Sequence, residues 1–100
     1  MLVGHVDAEL RSLRLHEAVA ARLDVALVDA ARARVCGWRE DGRIHPTWAD
    51  AWLDVLSRPL DEIRAVLRST DEWAVAMRQS TPFAGVLTPQ ERWSILRSLG

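Results

Sequence analysis

Apolar positions recur along this chain at three- and four-residue steps, and no stretch of useful length alternates with period two. The spacing predicts an all-α protein: five or six short helices in one compact bundle, residues 1–100 forming a single helical domain. Asp7 stands as a cap before a helix through ELRSLRLHEAVAARL. Leu10, Leu13, Ala18 and Ala21 fall near one face of it, and Leu15 and Val19 widen that face. Asp24 marks a break or a second cap. The run VALVDAARARVCGWRE then places Leu27, Ala31, Val35 and Trp38 close to helical spacing, and Asp41-Gly42 supplies its stop.

His45-Pro46 opens a third helix, because proline suits a first turn whose N–H groups lack partners anyway. Trp48, Trp52, Val55 and Leu56 make its core stripe. Pro59 opens a fourth helix, PLDEIRAVLR, with Leu60, Ile63, Val66 and Leu67 at helical spacing. Ser69 and Glu72 fit a capping box for a fifth, TDEWAVAMRQ, in which Trp73 and Met77 pair at i, i+4. Pro82 biases Thr81 towards an extended backbone, so this helix should end by about Ser80. Gly85 permits a turn with positive φ. Thr88-Pro89-Gln90-Glu91 has the form of a capping box with proline in the first turn, and it starts the last helix, PQERWSILRSL. Leu87, just before that cap, is placed to staple onto the Arg92 stem or Trp93.

Composition narrows the function classes. Hydrophobic residues form 49% of the chain and charged residues 27%, enough for one core and too apolar for a disordered chain. The formal net charge of −1 counts against a general electrostatic nucleic-acid binder. All 13 basic residues are arginine, whose planar fork suits carboxylates and phosphates. The first residues, MLVGHVDAEL, lack the basic and apolar regions of a secretion signal. No apolar run approaches the ~20 residues of a membrane span. A cytoplasmic location is the expectation.

Reaction chemistry is hard to find. Cys36 is alone and reads as a small half-buried hydrophobe. His5, His16 and His45 are scattered without an i, i+4 pair, so no metal site is expected, and solvated or capping roles suit them. Asp61-Glu62 and Asp71-Glu72 sit in first helical turns, where they favour the helix dipole. No glycine-rich phosphate loop is present. No catalytic residue and no cofactor are assigned, and no enzyme activity is expected.

Two binding surfaces remain. Arg32, Arg34, Arg39 and Arg43 lie in twelve residues beside Trp38 and could contact phosphates, which makes a small helical DNA-binding regulator the alternative reading. Acidic neighbours such as Asp29, Glu40 and Asp41 favour a mixed solvated face there. The five tryptophans divide by position: Trp48, Trp52 and Trp73 fit core stripes, whereas Trp38 and Trp93 lie towards helix ends and could anchor an interface.

The run RQSTPFAGVLTPQERW, residues 78–93, resembles the C-terminal signature of a family of small bacterial all-helical proteins. LHEAVAARL at 15–23, the run from His45-Pro46 through Trp52, and Pro59-Leu60-Asp61-Glu62 resemble it too. The family is similar to antitoxins encoded beside nucleotidyltransferase-type toxins. The resemblance implies a non-catalytic antitoxin of a type II pair, with a cognate toxin as partner and neutralisation by direct contact. On that reading Arg78, Gln79, Ser80, Pro82, Phe83, Arg92 and Trp93 make the contact, with Phe83 as anchor. The other reading of the same stretch is a clasp: Phe83 and Leu87 tuck under the domain and dock the last helix, and the binding face lies elsewhere.

Overall fold

The computed structural model describes the backbone of residues 3–99 and the side chains of residues 8–99. Six helices follow one another: α1 Val3–Arg22, α2 Val25–Asp41, α3 Pro46–Leu56, α4 Leu60–Arg68, α5 Glu72–Arg78 and α6 Pro89–Arg97. No strand occurs among the described residues, and no helix is long and apolar enough to cross a membrane. The chain is an all-α single small domain.

The helix ends follow local chemistry. Asp24 caps α2 by accepting from the Leu27 N–H. At the other end Gly42 is left-handed with φ 73°, and the Arg43 N–H donates to the Trp38 carbonyl across 2.8 Å. That pair closes the helix and needs a residue without a Cβ penalty. His45 caps α3, its Nδ1 accepting from the Thr47 N–H at 3.1 Å.

Two caps differ from expectation. The first helix begins at Val3, so Asp7 lies within α1 and not at its cap; its side chain and that of His5 lie outside the described residues. Asp71, and not Ser69, caps α5. Its carboxylate accepts from the Ala74 N–H at 2.8 Å and from the Ser69 hydroxyl at 2.8 Å. Ser69 is instead the C-cap of α4. A carboxylate one turn from the amides is the stronger acceptor. The Ala74 amide, followed by Ser69, holds the Asp71 carboxyl below its usual range.

The most extensive packing pairs α1 with α4 and α2 with α3, while α5 touches α1, α3 and α4. Val35, Trp52, Val55, Leu56, Ile63, Leu67 and Met77 fill the centre. Three stripes came out rotated from the spacing. On α1 the inward residues are His16, Val19, Ala20 and Leu23, while Ala21 is exposed and Leu10 and Leu13 are half-buried. On α3, Ala49 takes the inner place and Trp48 is half-buried. On α5, Ala74 and Met77 face inwards and Trp73 is 44% exposed. On α3 and α5 the correction has one cause: a small residue, Ala49 or Ala74, takes the inner place, and the bulky neighbour is turned to the rim. Cys36 is exposed, not half-buried, because α2 directs Val28, Ala31 and Val35 to the core.

Candidate functional site: the α5–α6 loop and the cleft beside it

The loop after α5 is built inwards. The Trp52 indole Nε1–H donates to the Met77 carbonyl at 3.1 Å and reaches the Ser80 hydroxyl at 3.3 Å. Phe83 meets the same indole edge-on, ring centroids 6.0 Å apart at 70°. Such an arrangement adds to the burial of both rings. Phe83 is 3% exposed, Leu87 5%, and Pro82 is fully buried. Gly85 has φ +90° in the turn closed by the Val86 N–H on the Phe83 carbonyl, the left-handed position that favours glycine.

A second network ties the loop to α1. The His16 Nδ1–H donates to the Ser12 carbonyl at 2.7 Å. Nε2 is therefore the acceptor, and the Thr81 hydroxyl donates to it at 2.8 Å. The Thr81 oxygen in turn accepts from the Phe83 N–H at 3.1 Å. With a neutral imidazole every bond in this chain has one donor and one acceptor, the Thr81 hydroxyl donating to His16 and accepting from Phe83. Burial lowers the His16 pKa, the Ser12 hydrogen bond opposes it, and the nearby Arg78 cation lowers it further. The solvated or capping role expected of His16 is thus corrected: it is 6% exposed and pins the loop. Its i+3/i+4 neighbours Val19 and Ala20 on the buried face were the available signal.

Arg78 is the other buried polar side chain among the described residues, 4% exposed. Its Nη1 donates to the Val66 carbonyl at 3.2 Å, while Nε is buried without a partner. Burial pushes its pKa down, and the charges of Asp71, Glu17 and Glu9 pull it back up. Arg34 on α2 donates to the Pro82 carbonyl and so holds the loop from the opposite side.

Helix α6 is docked differently. Thr88 and Glu91 form the reciprocal capping box, at 2.8 Å and 3.1 Å. Arg22 at the end of α1 grips Glu91 with both terminal guanidinium nitrogens, Nη1 and Nη2. That pair, then the Thr88 amide, lowers the Glu91 carboxyl to about 2. No side chain of α6 is fully buried, although Ile95 packs against the core. Leu87, expected to staple onto the Arg92 stem or Trp93, enters the core, while Trp93 is 63% exposed.

The seven contact residues expected from the resemblance therefore separate. Arg78, Pro82 and Phe83 are buried, and Ser80 is half-buried on the Trp52 indole, so in this conformation none of them is presented as an anchor. Gln79, Arg92 and Trp93 are exposed. The arginines of the alternative reading also separate. Arg34 is held by the Pro82 carbonyl, Arg39 pairs with Asp50 at 2.8 Å and Arg43 with Asp41 at 3.5 Å, while Arg32 is simply exposed. They do not form one uncommitted basic face. No group of three or more His, Cys, Asp or Glu that could hold a metal occurs among the described residues.

Two depressions flank the loop. One, of about 320 Å³, lies between α1, the loop and the start of α6; the other is an open groove along Gly85, Leu87, Pro89, Arg92, Trp93 and Leu96. Comparison with protein-family models, with curated proteins and with solved structures gave no match to this chain.

Proposed function

We propose that this protein is a cytoplasmic, non-catalytic antitoxin that binds and neutralises a cognate nucleotidyltransferase-like toxin through the outer face of α6. The supporting observation is Trp93. It is 63% exposed on a helix that commits no fully buried side chain to its own core. A large exposed aromatic flanked by an arginine and an apolar groove is the composition of an interface anchor. Arg92 lies beside it, and Leu87, Pro89 and Leu96 continue the groove. The likeness of residues 78–93 to the antitoxin signature points to the same segment. In this reading the buried residues of the segment are the clasp and its exposed residues are the contact: Gln79, Arg92 and Trp93 face the toxin, while Phe83 fixes where they stand. A near-neutral chain with a mixed surface suits a protein partner better than a phosphate backbone.

Co-expression with the product of the adjacent gene tests this, with a tag on one chain only. A complex that relieves growth arrest is the expected result, and Trp93→Ala should weaken it while leaving the fold intact. Absence of both a complex and toxicity overturns the toxin assignment. A complex indifferent to Trp93→Ala overturns the α6 face.

A further inference from the structure

We infer that the cleft between α1 and the loop is a binding site for a small apolar carboxylate, a ligand consisting of an aryl or branched aliphatic group carrying one carboxylate. The inference does not rest on the toxin reading and centres on a different depression, although Leu87 and Arg92 border both. The cleft encloses about 320 Å³, the low end of small-molecule sites. Leu15, Val19, Phe83 and Leu87 give it an apolar wall. Three arginines, Arg11, Arg78 and Arg92, also line it, and among the described residues no acidic residue does. His16 and Thr81 line it too, but the imidazole and the hydroxyl are committed to each other and to the backbone.

The charge arrangement selects the ligand. Arg78 is a cation with 4% exposure whose Nε has no partner. A buried guanidinium is costly unless paired and hydrogen-bonded. The acids that support it, Asp71, Glu17 and Glu9, lie outside the lining of this cleft. A carboxylate entering the cleft adds the missing negative charge in a partly desolvated place, where Arg–carboxylate pairing is strongest. A phosphate-sized polar anion would satisfy the arginines and leave the Leu15–Phe83 wall uncovered; a neutral apolar molecule would do the reverse. An apolar body joined to a carboxylate satisfies both. The same chemistry occurs in a free organic acid and at the C-terminal residue of a peptide.

The test is an amide-resolved NMR titration of the full chain with phenylacetate and with phenylacetamide. In parallel arms an acetylated tripeptide ending in leucine is added with a free or an amidated C-terminus. Shifts confined to residues 8–19 and 78–92 are expected with a carboxylate probe, and the matched amide should bind at least about tenfold more weakly. Binding by phenylacetate identifies a free acid as the source; binding by the free-ended peptide alone identifies a chain terminus. The exposed residues supply the control: the Arg11→Gln, Arg92→Gln double variant should lose about tenfold in affinity with an unchanged melting temperature. Equal binding of acid and amide overturns the inference, as does full affinity in the double variant. Failure of every probe to shift the cleft at millimolar concentration overturns it as well.

Discussion

Two halves of one sixteen-residue segment behave as opposites. Residues 79–87, after the end of α5 at Arg78, form a loop without regular structure, yet Pro82, Phe83 and Leu87 are buried and the loop is bonded to α1, α2 and α3. Residues 88–93 begin a well-capped helix, yet Trp93 is exposed and α6 buries no side chain completely. Regular secondary structure and commitment to the core are thus separate properties. The loop is held by side chains of distant elements, so its stability is tertiary. Helix α6 is held at its first turn by its own cap, which is local, and by the Arg22–Glu91 pair, an exposed tertiary contact from the end of α1. A segment of the second kind is free to spend its outer face on a partner.

The comparison can be broken at either half. Phe83→Ala should have the largest effect, about 3–5 kcal/mol, because it removes a buried ring from the Trp52 edge. Chemical denaturation measures it, and a loss near zero would mean that the loop does not clasp. Thr81→Val keeps the shape but leaves the His16 Nε2 and the Phe83 N–H without their partner; about 1–3 kcal/mol should be lost. Thr88→Ala removes the cap of the other half and should cost about 0.5–2 kcal/mol. Its effect should concentrate in the amide exchange of α6, with α1 and α3 protected as before.

Acid offers a graded version of the same comparison. The folded-state pKa of His16 is lowered from 6.5, so the unfolded chain takes up a proton at a pH where the folded one does not. The stability that the neutral imidazole contributes is complete above about 6.5 and is lost as pH falls from there through the lower folded value. Denaturation curves on the two sides of 6.5 should differ in the wild type and converge in His16→Gln. The Glu91 carboxyl, lowered to about 2, acts later: its contribution is present above 4.5 and lost as pH falls towards 2. Loop release should therefore precede helix release during acid titration, a sequence that Phe83 and Trp93 reporters can follow separately. Trp93→Ala should have the smallest effect on folding, within about 0.5 kcal/mol, and the largest on capture of the partner.

The helix count, the caps at Asp24, His45 and Thr88, the stop at Gly42 and the turn at Gly85 were all legible in the sequence. Each depends on residues within about one turn of one another, which is the range over which side-chain capping and φ preference act. The orientation of the helices was less legible. Spacing marked the inward stripe of α4 well, found Ala31 and Val35 of α2 but not Val28, and rotated that of α1, because an alanine and a histidine, Ala20 and His16, carry its core face. Hydrophobicity alone does not select a histidine for the interior; a hydroxyl 65 residues away does. The same limit applied to the site. Sequence grouped Arg78, Phe83, Arg92 and Trp93 as one contact, since they share a segment, and only the packed structure divided them. Trp52 drew Phe83 inwards, the Val66 carbonyl fixed Arg78, and Trp93 remained at the surface. Which neighbours meet across the bundle is decided by the summed packing of all six helices, and no local window contains that sum.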